Sequence, residues 1–157
     1  MSIDPSAVWA RMKMRVWPER YWLLALTEST AAAAAEVMLR STGTYCCLIR
    51  DQAGISMVVD EAGSAVADEL AHVQARFGPF RIVSTDGELP FDVVGFLRPV
   101  LEVLNSAGIK AGPICATGHD HLFIYEKDIE QAEAIIDEFI ATSRQESSSL
   151  QDDTTDD

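Results

Sequence analysis

The alternation of polar and apolar residues near the start of the chain predicts two strands. Residues 11–17, RMKMRVW, alternate basic with apolar side chains, so Met12, Met14 and Val16 share one face of a half-exposed strand. After a polar break, residues 21–27, YWLLALT, form a nearly continuous apolar run, which is typical of a strand buried on both faces. We expect the two strands to pair as a hairpin.

An alanine-rich segment predicts the first helix. Five consecutive alanines lead into EVMLR, and alanine has the highest intrinsic helix propensity. Ser29 or Thr30, immediately before them, is suited to accept hydrogen bonds from the first free amides of a helix. We expect this helix to end near Arg40.

The next residues predict a hairpin and a second helix. Residues 44–50, TYCCLIR, and residues 55–61, ISMVVDE, are rich in β-branched and apolar side chains and flank the turn sequence DQAG. Residues 64–77 then repeat apolar side chains at the spacing of one helical face. The residues on that face are Val66, Leu70, Val73 and Phe77.

The second half of the chain repeats this order of elements. It contains a predicted strand at 80–84, a helix from Asp92 to Ala107 closed by Gly108, strands at 109–117 and 121–126, and a helix at 128–141. The predicted fold class is therefore α+β, with two ferredoxin-like βαββαβ units in tandem and antiparallel sheets. The predicted division is an N-terminal extension at 1–10, a first unit at 11–78, a second unit at 79–142 and a tail at 143–157.

Charge and composition narrow the classes of partner. The 157 residues carry 25 acidic and 12 basic side chains, a formal charge of −13, which disfavours a surface that tracks phosphates, so we expect no nucleic-acid partner. No apolar run approaches the roughly 20 residues of a membrane span, and the start of the chain lacks the pattern of a secretory signal. We therefore expect a cytoplasmic protein without a membrane partner. The tail, SRQESSSLQDDTTDD, has a single apolar residue, so we expect it to be disordered and acidic.

The cysteines and histidines leave a metal, redox or catalytic role as an alternative. Cys46, Cys47 and Cys115 form no C-x-x-C pair, which disfavours a disulfide framework or a thiolate zinc site. His119 and His121 share one face of a predicted strand, but a metal site requires further ligands. A nucleophilic Cys115 would require an oriented base, and acidic surroundings raise a thiol pKa. We therefore predict no metal, no cofactor and no catalytic residue.

Aromatic and basic residues alternate near the N-terminus. Trp9, Trp17, Tyr21 and Trp22 are interleaved with arginine and lysine in an otherwise acidic chain. Nucleic-acid binding is one interpretation, but aromatic residues on paired strands are more often core or interface. We therefore expect these residues to lie at the contact of a homodimer.

Three segments carry a resemblance to a known family. MKMRVWPERYWLLALTE resembles the opening hairpin of small tandem ACT-domain proteins, and GISMVVDE resembles the strand that follows in them. Residues 90–128, PFDVVGFLRPVLEVLNSAGIKAGPICATGHDHLFIYEKD, resemble the C-terminal ACT unit of the family that includes the CASTOR arginine sensors and the ACT modules of aspartate kinases. The resemblance covers most of residues 11–142 in order.

This resemblance implies a non-catalytic regulatory module that binds an amino acid at the interface between two ACT units. The positions that match the family's ligand contacts are a strand-to-helix loop, the following strand, one acid and a facing strand in the first unit. These residues are Phe91, Asp92, Val93, Val94 and Gly95; Cys115, Ala116 and Thr117; Asp120; and Ser56, Met57 and Val58.

The chemistry of a zwitterion supports the same placement. Amides between Asp92 and Gly95, at the start of a predicted helix, suit a carboxylate, and Asp120 supplies an anion for an ammonium group. Val93 stands where the arginine sensors have an acid that recognises the guanidinium, so the sequence favours an apolar or small amino acid. Two simpler interpretations stay open, in which Asp92 is only a helix cap and Asp120 only a turn residue. The alternative function is a protein-interaction or dimerisation module of the same fold that has lost its ligand.

Overall fold

The computed structural model describes residues 3–27 and 31–152, with the side chains of 150–152 left out of the description. The chain divides into two compact bodies, Trp17–Arg81 and Met1–Val16 together with Ile82–Asp157. We call the first the central body and the second the split body. The helices are α1 (Pro5–Trp9), α2 (Ala31–Arg40), α3 (Glu61–Leu70), α4 (Leu97–Ser106) and α5 (Ile129–Asp152), and a 3₁₀ turn spans Glu126–Asp128. The strands are β1 (Lys13–Val16), β2 (Tyr21–Leu26), β3 (Cys47–Asp51), β4 (Gly54–Asp60), β5 (Val73–Asp86), β6 (Ala111–Ala116) and β7 (His119–Tyr125).

The central body is a sheet with two helices packed on it. Its strands lie in the order β3-β4-β2-β5, with the N-terminal part of β5 at the edge, and each neighbouring pair is antiparallel. The helices α2 and α3 pack against each other. The core under them is Leu24, Leu26, Ala34, Val37, Ile55, Met57, Val59 and Ala67.

The split body has the strand order β6-β7-β5-β1, with the C-terminal part of β5 in the middle. The helix α5 packs against both α1 and α4. Apolar side chains of β5 and β7 and the inner faces of these helices form its core, which includes Trp9, Met12, Val83, Val100, Leu104, Leu122, Ile124, Ala132 and Ile136.

Both bodies use the same succession of elements. The central body runs β2-α2-β3-β4-α3-β5, and the split body runs β5-α4-β6-β7-α5 and takes its last strand, β1, from the N-terminus. Because β5 is 14 residues long, one strand supplies the final strand of the first succession and the opening strand of the second.

The pairing of β1 corrects the sequence prediction. We predicted a hairpin between β1 and β2, but β1 pairs antiparallel with the end of β5, Lys13 lying opposite Asp86 and Val16 opposite Val83. The alternation of residues 11–17 identifies a strand and its inner face but not its partner, since pairing across the chain depends on tertiary packing. Residues 13–16 therefore group with the second half of the chain rather than with residues 17–78.

The predicted helix at 64–77 is only partly correct. The helix α3 ends at Leu70, and Val73 already belongs to β5. Val73, Ala75 and Phe77 also alternate with polar residues, and pairing with β2 selects this strand pattern over the helical one. The predicted hairpin of β3 and β4 and the final strand pair β6 and β7 are both present.

The tail predicted to be disordered, residues 143–157, is helical as far as Asp152. The helix α5 continues to Asp152, and residues 153–157 lie outside the described part of the chain. Ser143 is buried, and Arg144 donates hydrogen bonds to the carbonyl oxygens of Ala10 (3.0 Å) and Met12 (3.2 Å). These contacts anchor the first turns beyond residue 142, a long-range effect that composition does not reveal.

The predicted helix ends have mixed outcomes. Gly108 lies just beyond α4 with φ of +76°, as expected of a glycine that closes a helix. Asp92, by contrast, does not cap α4, because the helix begins at Leu97, after a longer loop. The predicted caps of α2, Ser29 and Thr30, lie outside the described residues.

Candidate functional site

A pocket of about 180 Å³ lies in the split body, between the loop that precedes α4 and the hairpin of β6 and β7. Its wall is largely apolar, with one carboxylate and one thiol. The lining residues are Leu89, Pro90, Phe91, Val93, Phe96, Cys115, Ala116, Gly118 and Asp120.

The loop of residues 87–96 forms one side of the pocket. It follows β5 and is shaped by turns, with the Val93 amide donating to the Pro90 carbonyl oxygen at 3.3 Å and Gly95 at φ +75°. Phe96 occupies the N-cap position of α4, and no side chain caps the helix there. In the first turn of α4 the Arg98 amide donates to the Gly95 carbonyl oxygen at 3.1 Å and Pro99 has no N–H, so the positive end of the helix dipole, rather than a set of free amides, attracts an anion here.

The hairpin of β6 and β7 forms the other side. A two-residue turn, Thr117-Gly118, joins the strands, and Gly118 adopts φ of +78°, which glycine tolerates better than any other residue. In this register Cys115 lies directly opposite Asp120, and both side chains line the pocket.

Asp120 is the buried acid of the pocket. The residue is only 6% exposed, and its backbone amide donates to the Thr85 hydroxyl at 2.9 Å. The Cys115 thiol hydrogen-bonds to the Asp120 carboxylate, and this bond, with burial and the nearby charge, raises the pKa of the thiol. Cys115 is therefore a protonated hydrogen-bond donor rather than a thiolate nucleophile.

His121 follows Asp120 in β7, and its side chain makes a separate polar contact. Its Nδ1 lies 2.6 Å from the Ser84 hydroxyl, and both residues are buried. Burial, and then the charge of His119, lowers the pKa of His121 below its ordinary value, with Asp120 opposing the shift. The imidazole is thus held neutral and contributes no positive charge beside Asp120 at neutral pH.

Of the predicted binding residues, the structure brings five to this pocket: Phe91, Val93, Cys115, Ala116 and Asp120. Asp92, Val94, Gly95 and Thr117 are exposed neighbours in the same loop and turn and do not line it. Ser56, Met57 and Val58 lie on β4 of the central body. Ligand contact by any of them stays a prediction.

Four lining residues were not predicted as binding residues from the sequence: Leu89, Pro90, Phe96 and Gly118. Leu89 precedes the segment that carries the resemblance and Pro90 is its first residue, and the local pattern of both indicates only a loop. The sequence predicts Phe96 inside a helix that begins near Asp92, so its position at the N-cap of α4 was not predicted.

The other candidate chemistries receive no support from the described residues. Among residues 3–27 and 31–152, no group of histidine, cysteine and acidic side chains is arranged to hold a metal ion. The cysteines are free thiols. Within those same ranges, no helix is both long and apolar enough to traverse a bilayer.

The aromatic cluster of the N-terminal region is not one surface patch. Trp9 and Tyr21 are fully buried, the first in the split body and the second in the central body. The Tyr21 hydroxyl donates to Glu19 at 3.2 Å, and burial followed by the Glu19 charge raises the pKa of Tyr21. These two side chains are therefore core residues, which corrects their expected place at a dimer contact.

By sequence, the chain matches no family model and no curated protein. By structure, it is similar to a protein of unknown function from Vibrio cholerae, with a TM-score of 0.64, 20% identity, and 84% of this chain and 92% of that one covered. A protein from Agrobacterium tumefaciens is similar to the same degree, with a TM-score of 0.64, 20% identity, and 83% and 90% covered.

Aspartate kinases provide a second group of similar structures. The regulatory subunit of the Thermus flavus enzyme has a TM-score of 0.56 and 11% identity, with 82% of this chain and 96% of that one covered. The Clostridium acetobutylicum enzyme has a TM-score of 0.63 and 10% identity, and the match covers 80% of this chain and 34% of that one. The chain therefore has a mixed α/β fold with antiparallel strand pairs, like the regulatory part of aspartate kinases, which confirms the predicted fold in its coarser form.

Proposed function

We propose that the chain is a non-catalytic regulatory module of two ACT-like, ferredoxin-like units, and that it binds a small amino acid in the pocket of the split body. The observation that carries this proposal is the buried Asp120 carboxylate in an otherwise apolar pocket of about 180 Å³. The aspartate kinase regulatory subunit with the same fold supports the regulatory part of the proposal by analogy.

The ammonium group of the ligand would bind Asp120. Within the pocket this carboxylate accepts a hydrogen bond from the neutral Cys115 thiol, which is a weak donor. An ammonium group is a charged donor, and its bond to a carboxylate is about twice as strong as a neutral one. A ligand cation would therefore compete favourably with the thiol for Asp120.

The carboxylate of the ligand would bind at the start of α4. The helix lacks a side-chain cap, and Phe96 at its N-cap position also lines the pocket. Because Pro99 has no N–H and the Arg98 amide already donates to the Gly95 carbonyl oxygen, the helix dipole is the main attraction for an anion at this end. The two charged groups of an amino acid thus match the two polar ends of one site.

The remaining wall selects a small, uncharged side chain. Leu89, Val93 and Ala116 present only apolar groups to the pocket. A second cation on the ligand would be desolvated there without a partner, which is costly. We therefore expect alanine-sized to valine-sized side chains to bind and arginine or lysine to be rejected.

A thermal-shift screen against the twenty amino acids tests this proposal, because a ligand of the folded state raises the unfolding temperature. We expect stabilisation by small aliphatic amino acids and none by isobutyrate or isobutylamine, which each lack one charged group. Asp120→Asn should remove the shift. Glu88→Gln, the matching change at an exposed acid of the loop of residues 87–96 that does not line the pocket, should retain it. A flat response of the wild-type protein to every amino acid would refute ligand binding.

A second candidate function is protein interaction, and it rests on two exposed side chains of the pocket loop. Phe91 is 98% exposed and Val94 is 78% exposed, and large apolar side chains at a surface often mark contact sites. A homodimer through this loop is one such interaction. Light scattering of the wild-type protein and of Phe91→Ser with Val94→Ser tests it. A smaller particle for the double variant supports this contact, and an unchanged mass excludes it.

A further inference from the structure

The N-terminal segment of residues 4–12 contacts the pocket loop, residues 87–96, near the first and the last residue of that loop. Asp4 accepts a hydrogen bond from the Ser6 amide at 3.0 Å and Pro5 opens the helix, so the local sequence itself starts α1. The segment ends at Met12, which is 1% exposed, directly before β1. It is therefore an ordered part of the split body.

Trp9 holds the end of the pocket loop that precedes α4. The residue is fully buried, and its indole Nε1 donates a hydrogen bond to the Phe96 carbonyl oxygen at 2.7 Å. Its ring stacks on the Phe96 ring, with centroids 4.3 Å apart and planes 5° from parallel. Phe96 is thus fixed through both its backbone and its side chain, and Phe96 is a wall of the pocket.

Met12 and Arg144 complete this support. The Met12 sulfur would lie only 3.1 Å from a Cβ built on Gly87, so Met12 contacts the start of the same loop. Arg144 on α5 donates to the carbonyl oxygens of Ala10 and Met12, which holds the segment in place. Phe139 on α5 meets Trp9 edge to face at 5.2 Å. The N-terminal segment therefore contacts the loop of residues 87–96 at its first residue, Gly87, and at its last, Phe96.

We propose that Trp9 is a positioning residue for the pocket, so that ligand occupancy and docking of the N-terminal segment stabilise each other. This inference rests on the proposed function for its ligand but on the Trp9–Phe96 contacts for its geometry. Coupling between two sites is reciprocal in free energy. A ligand that requires Phe96 in place favours the docked segment, and an undocked segment weakens the ligand.

The first test measures pocket access without any ligand. In a Cys46→Ala, Cys47→Ala background at alkaline pH, iodoacetamide alkylates the ionised fraction of Cys115, a wall of the pocket. Trp9→Phe removes the indole donor to Phe96, and we expect alkylation to change by about five-fold, the effect of one net hydrogen bond. Trp17→Phe makes the same change in the central body and should leave the rate unchanged. Equal rates in the two variants would overturn the proposal.

The second test uses L-valine as the probe and separates positioning from general stability. We expect Trp9→Phe to weaken L-valine binding about five-fold. Ile136→Ala removes volume from the same core without altering a pocket wall. Its affinity for L-valine should stay at the wild-type value even though its unfolding temperature falls. An equal loss of affinity in Ile136→Ala would show that Trp9 acts only through stability and would overturn the proposal.

The two tests also distinguish the possible failures. If the wild-type protein binds no amino acid, the proposed function fails, and the alkylation rates still decide whether Trp9 positions Phe96. If L-valine binds but Trp9→Phe matches Trp17→Phe in alkylation rate and Ile136→Ala in affinity, the proposed function stands and the positioning role of Trp9 is refuted.

Discussion

The two bodies share one succession of elements but differ at the same place in their hairpins. In the split body, Cys115 pairs with Asp120 one step from the turn of β6 and β7. In the central body, the same step of the β3–β4 hairpin pairs Arg50 with Ile55. Ile55 is buried in the apolar core beneath the helices, whereas Asp120 is a buried acid that lines a pocket.

The connection from the first strand to the first helix differs as well. In the central body β2 ends at Leu26 and α2 begins at Ala31, whereas in the split body residues 87–96 join β5 to α4. The longer loop carries most of the apolar pocket wall. An acid and a long loop therefore distinguish the split body at its pocket from the central body, which has an apolar residue at the matching step of its hairpin.

The largest effect should come from transferring the acid to the central body. Ile55→Asp would bury a carboxylate among the apolar side chains of the central core, while Arg50, which lies opposite it in β3, is itself exposed to solvent. We expect the free energy of unfolding to fall by about 4 kcal/mol. Urea denaturation measures the loss. Ile55→Val is the matched control, with an expected cost of about 1 kcal/mol. A loss for Ile55→Asp no larger than that for Ile55→Val would contradict this expectation.

The reverse exchange should separate binding from stability. Asp120→Ile gives the split body the residue that the central body has, and we expect amino-acid affinity to fall about 100-fold, since a charge-assisted bond is lost. Stability should be unchanged or higher, because an acid in an apolar pocket is itself costly to bury. Calorimetric titration and thermal unfolding measure the two quantities. A variant that still binds would remove Asp120 from the site.

Substitution by alanine should change the stability of the protein differently at two buried serines. Ser84→Ala leaves the His121 Nδ1 without its 2.6 Å contact, and we expect a loss of about 1–2 kcal/mol. The Ser64 hydroxyl of the central body is buried without a hydrogen-bond partner among the described residues. Ser64→Ala should therefore be neutral or stabilising by up to about 1 kcal/mol. Thermal unfolding of both variants gives the comparison, and equal losses would contradict it.

The smallest effect should be a dependence of stability on pH that belongs to the split body. Burial lowers the pKa of His121 below its ordinary value of 6.5, so the unfolded chain binds a proton more readily than the folded chain. The resulting stability is complete above pH 6.5 and is lost as pH falls through the folded pKa. We expect a decrease of less than about 1 kcal/mol between pH 7.5 and 5.5.

Two histidine variants test this assignment in urea denaturation at both pH values. His121→Gln keeps a polar partner for Ser84 and should remove the histidine part of the pH dependence. His72→Gln changes an exposed histidine of the central body and should retain it. A pH dependence that persists in His121→Gln and disappears in His72→Gln would come from the central body and would contradict the assignment to His121.

Local patterns predicted most elements correctly. They failed where contacts with residues distant in sequence determine the pairing of a strand or the end of a helix. The hairpin turn at residues 51–54 was predictable because turn residues separate two apolar strands, and Ala53 does donate to the Asp51 carboxylate at 2.7 Å. The partner of β1 and the end of α3 depend on pairing with β5, which has no signature in the segments themselves. The helical turns after residue 142 depend on Arg144 reaching the N-terminal segment.

The candidate site was predictable in its acid and its loop but not in its support. Asp120 and Val93 were identified from a resemblance and from the needs of a zwitterion, and the structure brings both to one pocket. Trp9 was assigned to a surface patch, although Asp4-Pro5 is a typical helix start and would have indicated α1. Its contact with Phe96 joins residues 87 positions apart, and no local pattern indicates such a contact.

Hydrogen–deuterium exchange with and without L-valine or the strongest hit of the thermal-shift screen tests the central claim most directly. The account predicts slower exchange in the loop of residues 87–96, at the turn of β6 and β7, and in α1. It predicts no change at the β3–β4 hairpin of the central body. Slower exchange confined to the central body, with the pocket loop unaffected, would contradict the assignment of the ligand to the split body.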